Sequence, residues 1–134
     1  MQKAECRVMN QEKETLARKT YDLQKRTKSF ALRVIRMYVA LPKTTEAQVI
    51  GKQVLRSGTS VGASYREAMR ARSRAEFISK MECGLQELEE TSYWLELLVD
   101  GGIIHEERLN DLRKEAEELI AILVSSVKTA KKEH

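Results

Sequence analysis

The sequence predicts an all-α protein, an antiparallel up-down-up-down four-helix bundle. Three observations carry this. Apolar residues recur in steps of three and four along most of the chain. One proline and six glycines in 134 residues are too few turn signals for a sandwich or a barrel. Helix starts and stops cut the periodic stretch into four long segments with short connections, an arrangement that makes neighbours antiparallel. At 42% hydrophobic and 33% charged residues, the chain is long enough for one domain around one core.

The first helix is expected over about 21–41, with Leu23, Phe30, Val34, Tyr38 and Leu41 inward and Ala31 and Ile35 beside them. Pro42 ends it, because proline lacks an amide donor and disfavours helix at the residue before it. Thr45 and Gln48 have the spacing of a capping box, which opens a second helix over about 45–71 with Ile50, Val54, Val61, Tyr65 and Ala68 inward. Ser73 and Glu76 form a second such box and open a third helix over about 74–100. Its seam reads Ile78, Met81, Leu85, Leu88, Ser92, Leu95 and Val99, widened by Trp94, Leu97 and Leu98. A stripe that broad faces more than one neighbour. The pair Gly101 and Gly102 stops the helix, since glycine takes the left-handed cap without penalty. The fourth helix, about 105–130, carries Leu109, Leu112, Ala116, Leu119, Leu123 and Val127. The domain reading is therefore a polar N-terminal extension at 1–20, a four-helix bundle at 21–130 and a frayed tail at 131–134. Periodicity in the extension is too weak to decide between a longer first helix and a mobile arm.

No run approaches 18 apolar residues, and the first ten residues are polar and charged. These features point to a soluble, cytoplasmic protein without a signal peptide. Cys6 and Cys83 lie far apart, near no histidine, and read as reduced thiols. His105 and His134 are the only histidines, neither with a second ligand one helical turn away, so no metal or cofactor is expected. Glutamates crowd helix three (Glu87, Glu89, Glu90) and helix four (Glu115, Glu117, Glu118), but none has a histidine three residues later, as a di-iron bundle requires. Ser57, Ser60 and Ser64 likewise lack a base within their helix. The expectation is a protein that is not an enzyme, with Glu87 as a partly buried carboxylate paired to an arginine or a hydroxyl.

Charge is distributed unevenly. Residues 1–72 hold sixteen Lys/Arg against six Asp/Glu, and residues 73–134 hold eight against fourteen. On helix two, Lys52, Arg56, Arg66 and Arg70 fall within an arc of about 80° at 100° per residue, opposite the apolar face, with Thr59 and Ala63 between them. Arg72 and Arg74 extend this basic surface, and Lys25, Lys28 and Arg36 point outward from helix one. Repeated cations of this kind suit a phosphate backbone. The competing reading pairs the stripe with Glu82, Glu89 and Glu96 of helix three across a subunit interface. The aromatic residues are dispersed rather than interleaved with arginine, which disfavours a stacking platform for single strands.

Between Ser57 and Ser64, seven of eight residues are small. Glycine inside a helix costs about 1 kcal/mol against alanine, so Gly58, Ser60, Gly62 and Ser64 are read as a surface for close helix packing. The segment Leu55-Arg-Ser-Gly-Thr-Ser-Val-Gly-Ala-Ser-Tyr-Arg-Glu-Ala68, followed by Ser73-Arg-Ala-Glu-Phe-Ile-Ser-Lys-Met81 and Glu90-Thr-Ser-Tyr-Trp-Leu-Glu-Leu-Leu98, resembles the bacterial four-helix bundle proteins known as the 23S rRNA intervening-sequence or S23 family. The resemblance spans roughly Leu23 to Ala130. It implies a homopentameric ring, and a related group, accessory to diversity-generating retroelements, implies nucleic-acid binding beside a reverse transcriptase. Two positions depart from the family pattern: Ser64 stands where many members have asparagine, and Ala68 where many have glycine. The reading is a non-enzymatic, oligomeric, nucleic-acid-binding adaptor, RNA or DNA, with a reverse transcriptase or another RNA-handling protein as partner. Its alternative is a structural oligomer whose charges are consumed between subunits.

Overall fold

The structure, a computed structural model, describes the backbone of residues 2–132 and the side-chain surroundings from Asn10 to Lys132. Four helices follow one another: α1 (Gln2–Val39), α2 (Thr45–Met69), α3 (Arg74–Asp100) and α4 (Glu106–Lys132). Each packs on the next, and α2 with α3 is the most extensive pairing. Contact between α1 and α4 is the sparsest. The bundle expected from the sequence is thus present, with its side along α1 and α4 the least closed.

The described part of the 1–20 extension is helical and continuous with α1. It contains no glycine or proline to interrupt local hydrogen bonding, and Thr15 and Thr20 return their hydroxyls to the carbonyls of Gln11 and Leu16. At the other end, α4 continues through Lys131 and Lys132, while His134 lies outside the described residues, as do the surroundings of the Cys6 side chain. No described helix is long and apolar enough to cross a membrane.

The core is built from Phe30 and Val34 of α1, Val54, Val61 and Tyr65 of α2, Met81, Leu88, Leu95 and Leu98 of α3, and Leu109 to Val127 of α4. Full burial of one such side chain contributes roughly 1.5–3 kcal/mol. The α4 line is the expected one throughout. In α3 the line differs: Met81, Gly84, Leu88, Thr91, Leu95 and Leu98 are buried, whereas Leu85, Ser92 and Val99 are half-buried. The buried positions are the ones that face α2: Gly84 lies against Ser64 and the Val61 carbonyl, and Thr91 against Ser57.

The small-residue segment is where α2 meets its neighbours. A methyl on Gly58 would stand 2.8 Å from a Val34 methyl, and one on Gly62 3.3 Å from the Thr27 hydroxyl. Gly51, one heptad before Gly58, admits Leu41 and Tyr38 in the same way. On the other side of α2, Gly84 faces Ser64 and the Val61 carbonyl, and the buried Thr91 hydroxyl donates to Ser57 at 2.8 Å. Ser60 is the exception to the expected packing set: it is half-buried and its hydroxyl turns back on its own helix, donating to the Arg56 carbonyl at 2.6 Å.

Two caps also differ from expectation. The N-cap of α2 is Thr44, not Thr45, and its side chain accepts from Ala47 N at 3.3 Å. Gln48 instead ties down the preceding turn, donating to the Pro42 carbonyl at 2.9 Å and accepting from the Tyr38 hydroxyl. Ser73 caps α3 as expected, accepting from Glu76 N at 3.1 Å, but Glu76 accepts from the Arg72 amide, one residue before the cap. At the end of α3 the left-handed residue is Gly102, φ +70°, while Gly101 has φ −79°.

Candidate nucleic-acid interface

Because α2 commits one side to α1 and another to α3, the arc opposite both must face outward. Lys52, Arg56, Ala63, Arg66 and Arg70 are all exposed, with Thr59 half-buried among them. Arg72 and Arg74, in the α2–α3 connection and at the start of α3, are exposed as well. Among the described residues, one cation of this group meets an acid: Arg56 lies 3.9 Å from Glu90. Arg56 is largely solvated and Glu90 partly so, and at this distance the pair contributes little.

The other described ion pairs use different cations. Arg26 forms a fork with Glu115, at 2.5 and 3.2 Å, and also reaches Glu118 at 3.1 Å. Hydrogen bonding to Glu115 raises its pKa above the ordinary arginine value, against the opposing effect of burial. This is the polar strap between α1 and α4, a contact that helical spacing within α1 alone does not reveal. Lys80 pairs with Glu67 at 3.0 Å and Lys131 with Glu82 at 2.7 Å. Glu82, offered by the competing reading to the basic stripe, is therefore engaged within its own chain.

Lys25, Lys28 and Arg36 are exposed on α1, but their surroundings differ from those of the α2 group. Tyr21, Lys25, Lys28, Leu32, Ile35 and Val39 step along one outward line by four, three, four, three and four. Tyr21, Leu32, Ile35 and Val39 are 64, 42, 40 and 68% exposed, and Val49 at the start of α2 is 57% exposed. The C-terminal half of this line is an apolar seam without a partner among the described residues. The broad apolar stripe of helix three is mostly covered by its neighbours, with Leu88, Leu95 and Leu98 buried and Trp94 and Leu97 half-buried. The large exposed aliphatics lie instead on α1 and at Val49, with Tyr93 alone on α3.

Glu87 sits where the sequence placed it. It is half-buried, accepts from the Ser64 hydroxyl at 3.0 Å and lies beside the exposed Cys83 thiol at 3.7 Å. Burial raises its pKa from the ordinary carboxylate value, opposed by the bonds from Ser64 and Cys83. Ser64 thus makes a hydrogen bond at the position where the family pattern has asparagine. Among the described residues, no three His, Cys, Asp or Glu side chains gather as metal ligands.

An all-α bundle with a small-residue α2 at its centre and an outward basic stripe defines the class of protein. The 23S rRNA-intervening sequence protein model matches residues 19–125, and the chain belongs to that family. It is also similar to a solved structure from Bacteroides thetaiotaomicron, a protein of unknown function from the S23 ribosomal protein family. The two share 39% identity with a TM-score of 0.77, over 82% of this chain and 98% of the other. No curated protein matches the chain.

Proposed function

We propose that this protein is a non-enzymatic, oligomeric adaptor that binds the nucleic-acid backbone through the outward face of α2. The observation that carries the reading is the set Lys52, Arg66, Arg70, Arg72 and Arg74, exposed and without an acid at ion-pair distance among the described residues. An uncompensated basic face attracts polyanions. The family's name links its members to 23S rRNA, which favours RNA as the first nucleic acid to test. A reverse transcriptase or another RNA-handling protein is the partner class the reading implies. Assembly as a homopentamer would repeat the stripe on one rigid body and convert weak contacts into avidity.

Fluorescence anisotropy with RNA across a salt series tests this. A log–log slope of about −3 or steeper is expected, at about −0.7 per phosphate contacted. The combined variant Arg56→Glu, Arg66→Glu and Arg70→Glu should lose binding while keeping its helicity and its mass in solution. No binding by the wild type even at low salt would overturn the reading, and a variant that dissociates would reassign the three arginines to a subunit interface.

The second reading, a structural oligomer without nucleic-acid binding, is favoured by the unpartnered apolar seam of Leu32, Ile35 and Val39. Lys25 and Lys28 share its line, so an interface there would remove them from the nucleic-acid surface and leave the stripe on α2.

A further inference from the structure

We propose that the α2 stripe is built for a double-stranded nucleic acid, gripping the two phosphate ridges that border one groove, an inference that rests on the nucleic-acid reading above. The stripe is bipartite. Lys52 and Arg56 form one basic cluster, Arg66 and Arg70 another, and all four are exposed. The cluster centres are fourteen residues apart, which is about 21 Å along a helix at 1.5 Å per residue. Between them the same outward line carries only Thr59 and Ala63, without charge.

A single strand tracked along a helix presents phosphates continuously and leaves no reason for a neutral gap. A duplex does. The major groove of B-form DNA is about 12 Å wide, and its bordering phosphates lie roughly 18 Å apart once their own size is added. Flexible lysine and arginine side chains span the difference. The wide, shallow minor groove of A-form RNA offers a comparable pair of ridges. The gap then faces the groove, where no phosphate needs neutralising. Threonine and alanine are too short to reach base edges, so contact is to the backbone and sequence is not read. The stripe also lacks an aromatic side chain, which a single-strand site uses to stack bases. Tyr65, the tyrosine of α2, is buried on the opposite face with its hydroxyl donating to the Thr20 carbonyl.

The test measures full-length protein by anisotropy at one fixed salt concentration. The probes are DNA and RNA duplexes of about 20 base pairs and their component single strands. At least one duplex should bind about tenfold more tightly than its own strands, and comparison of the two duplexes identifies which groove is used. The variant Ala63→Lys places a cation in the gap and should change duplex affinity by less than about threefold. Arg66→Gln or Arg70→Gln, each removing one ridge contact, should weaken it about tenfold or more. Single strands binding as tightly as duplexes would overturn the duplex assignment while leaving backbone binding intact. A large gain from Ala63→Lys would also overturn it, by making the stripe a continuous track. Binding to none of the probes would instead remove the adaptor reading itself.

Discussion

Gly58 illustrates how a single missing side chain sets the spacing of two helices. Its Cβ position is filled by Val34, whose branch point lies 3.3 Å away and whose methyl lies at 2.8 Å. A β-branched residue anchored that near its own backbone cannot swing aside. Gly58→Ala gains about 1 kcal/mol of helix propensity but overpacks the α1–α2 contact at a cost of roughly 1–3 kcal/mol. A net loss of up to about 2 kcal/mol is expected in urea unfolding. Gly62→Ala meets its nearest neighbour, the Thr27 hydroxyl, at 3.3 Å, and should lose less. Glu87 provides a pH-dependent counterpart. Burial raises its folded-state pKa, so the folded chain holds this proton more tightly than the unfolded chain. The resulting stability is present at low pH and is lost as pH rises through the folded pKa, because burial disfavours the ionised carboxylate. Glu87→Gln should therefore raise the Tm at pH 7 by about 2–4 °C. The gain should vanish as pH falls through the carboxylate range, read by circular dichroism melts across pH.

At the scale of elements, the turn between α1 and α2 is held by Thr44 and Gln48 rather than by a reciprocal box. With Thr44 as the cap, the third helical residue is Ala47, which has no side chain to reach back. The task of securing the connection falls to Gln48, one position later, through Pro42 and Tyr38. Thr44→Ala should cost about 1 kcal/mol of stability, while Thr45→Ala, inside the first turn, should stay within about 0.5 kcal/mol of the parent. Chemical denaturation of the two variants separates them. Two adjacent threonines are locally equivalent, so only the path of the chain after Pro42 selects which becomes the cap. The length of α1 has a similar origin. Its N-terminal part lacks a strong apolar period, but it also lacks a breaker, and once the helix is nucleated on the core at Thr27, Phe30 and Val34 each further residue adds a hydrogen bond.

For the whole molecule, the distribution of surfaces decides the functional reading. Among the described residues, the basic face of α2 meets one acid, through Arg56, and the apolar seam of α1 is left uncovered, so the two ask for different partners. The double variant Leu32→Glu, Val39→Glu places charges on the seam without touching the core. If copies of the chain meet through this face, its mass in solution should fall toward that of one chain while helicity is retained, measured by light scattering on a sizing column. An unchanged mass would assign assembly to another face. Paired with the anisotropy measurements, the experiment separates assembly from nucleic-acid binding, because the arginines of the proposed site are untouched.

Much of the architecture was legible in residue order. Four helices, their breaks at Pro42, Ser73 and Gly101–Gly102, the buried line of α4 and the outward direction of Lys52, Arg56, Arg66 and Arg70 all follow from period and punctuation, which are local properties. The sequence pattern also pointed to Gly58, Gly62 and Ser64 as a packing surface and to Glu87 as a carboxylate beside a hydroxyl. What only the tertiary structure decided depends on which helices abut. The α3 core line passes through Gly84 and Thr91 because α2 comes close there, and hydropathy ranks neither residue as core. Arg26 is a strap to Glu115 and Glu118, rather than part of a basic surface, because α4 lies beside it. The apolar surface left over falls on Leu32, Ile35 and Val39 because α1 turns its other face, at Thr27, Phe30 and Val34, to the core. Periodicity reports how readily a side chain leaves water, whereas the size of the gap it must fill and the charge it meets are properties of the neighbouring helix.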